Sequence, residues 1–342
     1  MIMLWPRSVI RHRQSVFHHL ETGILRYLQK GSTLYNGHEE QVTHNKQWPF
    51  RRAISEQSQS ANQSGSESKQ AVLPSDDDPA ETYQDDDSLR TVLLSAIRFM
   101  TCFFVMLVTT IIWTFILFTL LPFPSARIKQ SNVYGHITGR LLMWILGNPL
   151  RISGAQNANL KAIYICNHAS LLDIILVMWL IPIGTVGIAK KEVIWYPLFG
   201  QLYLLANHIR IDRANSSSSV QSFQKVAKSV IEQNLSLIVF PEGTRSATGR
   251  LLPFKKGFVH LAIQTKYPIV PMVLTGTHLG WQKNSLRVRQ APLSVTFLPP
   301  IKTDDWTTEN VEKYLHMVHS IYAKHLPLSQ KPLKMGPDCA RT

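Results

Sequence analysis

Phe99 to Leu121 (FMTCFFVMLVTTIIWTFILFTLL) is a run of 23 residues without a charge, set between Arg98 on one side and Arg127 and Lys129 on the other. About 20 apolar residues at helical rise cover the ~30 Å hydrocarbon core of a bilayer. A helix in a soluble core rarely stays apolar on every face for so long, so the run predicts a membrane-inserted helix, with the rest of the fold built beside it. Pro122 and Pro124 end it. A second apolar run, Leu141–Leu146, is too short to span and lies in a helical stretch that also holds Gly135, Gly139 and Arg140. It reads either as the returning arm of a hairpin in one leaflet or as a helix packed on the following domain. Arg90 and Arg98 flank one end of the long run and Arg127, Lys129 and Arg140 the other, so loop charge does not fix its orientation.

Charge divides the chain of 342 residues at the same region. Residues 1–89 hold nine Lys or Arg against twelve Asp or Glu, whereas residues 90–342 hold 27 against ten. A basic surplus of that size points to an anionic partner: nucleic acid, an anionic membrane surface or a phosphorylated substrate. No helix-turn-helix, zinc-finger or aromatic RNA-binding pattern accompanies it, which argues against nucleic acid. The basic balance favours the cytoplasmic face of a membrane. Residues 1–89 begin basic, with helical spacing over 14–30 (Val16, Phe17, Leu20, Ile24, Leu25, Leu28) that fits an amphipathic helix. The polar, acidic stretch from Ser55 to Ser88 carries two Asp-Asp-Asp runs and too little apolar surface to offset its ordering entropy, so disorder is expected there.

Three cysteines in unrelated settings make a disulfide framework improbable, and neither C-x-x-C nor H-E-x-x-H occurs, so no metal site is expected. Residues 90–147 are read as the membrane-anchoring helices, 148–328 as an α/β domain and 329–342 as a loose tail. Within the domain, β-rich runs at 160–166, 186–190, 208–212, 235–240, 269–275 and 293–298 alternate with helical periods, best at 219–233, 256–266 and 307–325.

Four segments carry chemistry. Asn167-His168-Ala169-Ser170-Leu171-Leu172-Asp173 follows an apolar strand. On one continuous helix, residues five apart point ~140° from each other. With His168 in the loop and Asp173 in the first helical turn, the carboxylate reaches the imidazole, fixes its tautomer and frees the other nitrogen as a general base. A helix-start cap beside a loop histidine is the plainer reading of that spacing alone. Phe240-Pro241-Glu242-Gly243-Thr244-Arg245-Ser246 also follows a strand; Gly243 permits close backbone approach, and Arg245 offers a planar fork for phosphate oxygens. Lys190-Lys191-Glu192 leads through a short helix to Ile211-Asp212-Arg213, and Val270-Pro271-Met272-Val273-Leu274 is a strand with a proline, which in isolation reads as an edge or bulged strand.

Together, in this order, NHASLLD (167–173), KKEVIWYPLFG through IRIDR (190–213), FPEGTRS (240–246) and VPMVL (270–274) resemble the 1-acylglycerol-3-phosphate O-acyltransferase (lysophosphatidic acid acyltransferase) family, over roughly residues 90–300. The resemblance implies an α/β acyltransferase domain with a mixed central sheet flanked by helices, preceded by a hydrophobic membrane helix or helical hairpin. It implies transfer of an acyl group from an acyl thioester, either acyl-CoA or acyl carrier protein, to the free sn-2 hydroxyl of 1-acylglycerol-3-phosphate, making phosphatidic acid at a phospholipid membrane without a cofactor. His168 is then the base and Asp173 its partner. Arg213, Glu242, Gly243, Thr244 and Arg245 are implied for the acceptor phosphate and Pro271 for the acyl site; Asn167, Lys191 and, as a residue of this chain's own, Arg210 are further candidates for the acyl or acceptor site.

Where the family reads G-x-x-F-I-D-R, this chain has Asn207, His208, Ile209, Arg210, Ile211, Asp212 and Arg213. Asn207 suits a turn with positive φ, and Arg210 either faces the site or points to solvent. The alternatives are acylation of another lysophospholipid and a membrane-tethered binder of anionic ligands without catalysis. A covalent route through the Cys166 thiolate is a rival mechanism, although a cysteine ending a buried strand more simply fills core volume.

Overall fold

The computed structural model describes residues 88–196, 199–211, 216–285 and 287–333. The amphipathic helix expected at 14–30 and the acidic stretch up to residue 87 lie outside the described residues. Helix α1, Leu89–Thr119, starts at Ser88, whose hydroxyl accepts the Thr91 N–H, and ends ahead of Pro122. Its 31 residues reach ~46 Å at helical rise. Among the described residues it is one helix long and apolar enough to cross a membrane. Phe103, Phe104, Ile111, Phe115 and Phe118 are exposed along it, while Leu117 is buried.

The second apolar run is the end of a longer helix, α2, Pro124–Leu146, which begins on a proline and closes at Gly147 in the left-handed region. It lies against α1 on one side, where Thr110 Oγ1 and Tyr134 OH are 3.0 Å apart and Trp113 Nε1 donates to the Gln130 carbonyl at 2.9 Å. On its other side is α3, Leu172–Leu180. Gly135 and Gly139 permit that approach: a Cβ at either would fall 2.8 Å from the Met178 or Ile175 carbonyl oxygen. The small residues one turn apart thus set the α2–α3 distance, and α2 packs on the domain.

Seven strands follow: β1 Leu150–Ser153, β2 Ile163–Cys166, β3 Thr185–Lys190, β4 Ile209–Ile211, β5 Ser236–Val239, β6 Ile269–Thr275 and β7 Leu293–Phe297. They form one sheet in the order β1-β7-β6-β2-β5-β3-β4. Of the pairings, β6 with β7 is antiparallel and the others are parallel, so the sheet is mixed. Four further helices complete the domain: α4 Phe199–Leu205, α5 Ser216–Glu232, α6 Gly257–Thr265 and α8 Val311–His325, with the single turn α7 Thr277–Gly280 between the last two. Alternation along the strands sorts the core into two layers. Ile163, Ile165 and Leu237 face Phe258, Val318 and Tyr322 on one side, and Tyr164, Cys166 and Met272 face Leu172, Leu176 and Met143 on the other.

Two expectations need correction. The described start of the tail read as loose from 329, residues 329–333, is bound into the domain through Gln330, which is buried. The Gln330 carbonyl accepts the Leu251 N–H at 2.8 Å, and its side-chain oxygen accepts the Gly276 N–H at 2.9 Å. The strand with the proline is interior, between β2 and β7. Pro271 stands opposite Ile165 and has no N–H for the ladder. Its carbonyl faces β7 and accepts the Leu298 N–H at 2.9 Å, while on the β2 side the buried Tyr322 hydroxyl bridges the next rung: it donates to the Ile165 carbonyl and accepts the Met272 N–H at 3.2 Å. A proline is therefore accommodated away from a sheet edge with one bond lost toward β7, while the rung to β2 is carried by Met272 through the tyrosine on α8.

Candidate active site

β2 and β5 are adjacent and parallel, so the loops that leave their C-terminal ends emerge side by side. The first carries His168 and the second Glu242 to Ser246. His168 Nδ1 lies 2.9 Å from Asp173 Oδ2, with the carboxylate fully buried and the imidazole 13% exposed. The same Oδ2 accepts the backbone N–H of Ala169 and of Ser170, each at 2.7 Å. An oxygen that takes two N–H donors is an acceptor, so the hydrogen of the third contact belongs to Nδ1. In the neutral ring the tautomer is thereby fixed, with the hydrogen on Nδ1 and the lone pair on Nε2. Asp173 sits in the first turn of α3, which is why residues five apart can meet. Phe240 stacks on the imidazole at 4.3 Å and holds its plane.

The two loops are bonded into one unit through the His168 main chain. Its N–H donates to Glu242 Oε1 at 2.7 Å, and its carbonyl accepts the Ser246 N–H at 2.8 Å. Glu242 Oε2 accepts the Leu252 N–H at 3.1 Å. Burial pushes the Glu242 carboxyl up to about 8; the two N–H bonds oppose this, and the Asp173 charge adds to it. The resemblance groups Glu242 with the acceptor-phosphate residues, and its side chain is placed otherwise: it turns inward and braces the His168 loop, because a buried carboxyl group is tolerated only where its oxygens are hydrogen-bonded. Asn167, grouped with the acyl or acceptor site, also turns inward. Its amide donates to the Leu274 carbonyl at 2.9 Å and accepts the Leu274 N–H at 2.8 Å, which ties the end of β2 to β6.

Gly243, at φ +73°, lines a cavity of about 270 Å³ together with His168 and Phe240. The cavity runs between the β3–β5 face of the sheet and helices α2, α3 and α4. Its walls are mainly apolar, including Ile174, Val177, Met178, Ile238 and Leu202. His208 and Ser131 also line it, but their polar atoms are used: the His208 ring accepts the Gly187 N–H at 3.1 Å and meets Ser131 Oγ at 2.9 Å. Burial holds the His208 pKa down at about 4, so this ring is neutral. Thr244 is exposed and Arg245 half-buried, on the stretch between the cavity wall and Ser246. Arg210 is exposed on edge strand β4, opposite Ala189, whose side chain lines the cavity; it therefore stands on the cavity face of the sheet. Pro271 is not among the lining residues, since its partner Ile165 faces the opposite layer of the core. Lys191 opens the short turn Lys191–Trp195 after β3, and its side chain, like Arg213, lies outside the described residues. Asn207 has φ +67°, the left-handed turn its position calls for. Cys166 is fully buried, and burial, with the charges of Asp173 and Glu242, pushes its thiol well above the usual value.

A histidine oriented through Nδ1 by a buried carboxylate, at the mouth of an apolar cavity and beside a loop bearing an arginine, is an arrangement that group transfer on an amphiphilic substrate can use. Residues 149–275 match a family model described as Acyltransferase, and the protein is an acyltransferase. A relative from Cocos nucifera, a 1-acyl-sn-glycerol-3-phosphate acyltransferase, is 65% identical over 254 residues, 74% of this chain and 82% of that protein. One of the same name from Limnanthes douglasii is 56% identical over 255 residues, 74% of this chain and 91% of that protein. The chain belongs to the 1-acyl-sn-glycerol-3-phosphate acyltransferase family. Its fold is also that of the 1-acyl-sn-glycerophosphate acyltransferase PlsC from Thermotoga maritima, with a TM-score of 0.55 at 24% identity, covering 67% of this chain and 93% of that one.

Proposed function

We propose that the protein transfers an acyl group from an acyl thioester to the free sn-2 hydroxyl of 1-acylglycerol-3-phosphate, giving phosphatidic acid and a free thiol. The observation that carries this reading is the His168–Asp173 pair at the mouth of the apolar cavity. His168 Nε2 takes the proton of the hydroxyl as its oxygen attacks the thioester carbon. The tetrahedral adduct collapses with cleavage of the C–S bond, and the thiolate leaves with the proton from the imidazolium. Asp173 stabilises that imidazolium through Nδ1–H and is not itself protonated. The cavity takes the acyl chain, and Arg245, with Arg210, takes the acceptor phosphate. Cys166 is excluded as nucleophile by its burial and its raised pKa.

The apolar α1 puts the site where both lipids reside, and the basic domain favours the cytoplasmic face, with coenzyme A or acyl carrier protein as the anionic donor. The test is thiol release from acyl-CoA by the detergent-purified protein with lysophosphatidic acid, lysophosphatidylethanolamine or no acceptor, for wild type and Arg245→Ala. Release that depends on lysophosphatidic acid, with a raised acceptor KM in Arg245→Ala, is the expected result. Equal release with lysophosphatidylethanolamine, indifferent to Arg245→Ala, would discard the phosphate assignment. Repeating the assay with acyl carrier protein identifies the donor.

A further inference from the structure

We propose that Lys283 is a second cationic contact for the acceptor's phosphate, supplied by the loop between α7 and β7 and lying outside all four motif segments; this rests on the function proposed above. Lys283 Nζ donates to the Arg245 carbonyl at 2.8 Å. The next residue, Ser246, donates its N–H to the His168 carbonyl at 2.8 Å. The ammonium is therefore held beside the phosphate loop, two bonded steps from the base. One of its three N–H groups is used on Arg245, and two remain. Among the described residues no carboxylate forms an ion pair with it. A half-buried ammonium whose charge is answered only by a carbonyl dipole is a site prepared for an anion.

The loop is built to hold it there. Ser170 Oγ donates to the Trp281 carbonyl at 2.7 Å, which binds the loop to the His168–Asp173 segment, and Trp281 Nε1 donates to the Ser285 carbonyl at 2.7 Å, which closes the turn bearing Lys283. The Trp281 ring meets Phe99 of α1 edge-on at 5.9 Å. Farther along, the Val288 N–H donates to Ser95 Oγ at 2.9 Å and Arg287 Nη2 to Thr91 Oγ1 at 3.3 Å. One loop thus joins the apolar helix to both motif loops and carries the lysine between them. A phosphomonoester presents three oxygens and close to two charges. A guanidinium fork engages two of the oxygens, and a point-charge ammonium suits the third.

The test is steady-state kinetics of thiol release for wild type, Lys283→Met and Lys283→Arg, with lysophosphatidic acid and the acyl thioester varied in turn. Lys283→Met is expected to raise the KM for lysophosphatidic acid by about 10- to 100-fold, the size of one charge-assisted hydrogen bond. The thioester KM and kcat should stay within about twofold, and Lys283→Arg should recover most of the loss. An unchanged acceptor KM in Lys283→Met, with wild type active on lysophosphatidic acid, overturns the proposal alone. A fall in kcat shared by both substrates, with no recovery in Lys283→Arg, also overturns it, because the lysine would then be a structural tie. A wild type inert toward lysophosphatidic acid with either donor overturns the functional reading, and this proposal with it.

Discussion

Asp173→Asn separates the charge of the buried carboxylate from its hydrogen bonds. Three donors converge on Oδ2 in the folded protein: His168 Nδ1 at 2.9 Å and the Ala169 and Ser170 N–H groups at 2.7 Å. The asparagine carbonyl in that position still accepts all three, which keeps the loop and the tautomer, while its NH2 takes the buried place of Oδ1, which has no partner among the described residues. What disappears is the attraction between carboxylate and imidazolium, which exists only once the base has taken its proton. With charge centres ~4 Å apart and an effective dielectric near 20, that attraction is about 4 kcal/mol, or roughly 10³ in rate. The expected result is a fall of about that size in kcat for thiol release, with acceptor KM little changed and the melting temperature lowered by no more than one unpaired buried N–H group costs. Asp173→Ala, by contrast, strands two buried N–H groups and should also lower the melting temperature. A kcat for Asp173→Asn within about fivefold of wild type, with the fold intact, would refute the argument that Asp173 acts through its charge.

Three further outcomes are expected. Tyr322→Phe keeps the ring but leaves the Ile165 carbonyl and the Met272 N–H without a partner; at about 1–3 kcal/mol for each buried group, thermal unfolding should shift down by several degrees, and an unchanged midpoint would show that the β2–β6 rung needs no hydroxyl bridge. Gly187→Val places a Cβ 3.1 Å from the Tyr203 hydroxyl inside the cavity, so competition between long and short acyl-CoAs should move toward the shorter chain; an unaltered preference would place the acyl chain elsewhere. Because burial raises the Glu242 pKa to about 8, the folded state retains a proton that the unfolded state has lost by about pH 4.5, so this group's contribution to stability falls as pH rises between those values. The neutral, buried His208, held at about 4, acts oppositely, but only below about 6.5, so the effect should be read between pH 6.5 and 8: the melting temperature should fall there in wild type and hold steadier in Glu242→Gln, and equal slopes would deny Glu242 the raised pKa.

Much of the site could be read from residue order. The strand-loop-helix placement of His168 and Asp173 follows from an apolar run, a polar loop and a new helical period, and Asn207 is legible as a turn because few other residues adopt positive φ readily. What escaped was set by partners far away in the chain. Glu242 looks like a site carboxylate until the His168 and Leu252 N–H groups are seen on it. Pro271 reads as an edge strand because nothing near it announces that β7, rather than solvent, lies on the side where its N–H is missing. Gln330 looks like tail, since its three-sided bonding to Gly249, Leu251 and Gly276 depends on where β6 ends. Strand β1 is only four residues long and pairs with β7 across the whole domain, so its short apolar signal carried no weight of its own. Lys283 is a lone lysine in a polar loop and has no sequence signature at all.

The central claim is that His168 Nε2 removes the acceptor proton. It is tested most directly by single-turnover thiol release from acyl-CoA in the presence of saturating lysophosphatidic acid, comparing wild type with His168→Ala after both are shown to melt alike and to bind the acceptor alike. The account requires the chemical step to slow by about 10²–10⁴, with acceptor binding retained. A His168→Ala protein that releases thiol within a few-fold of the wild-type rate would contradict it.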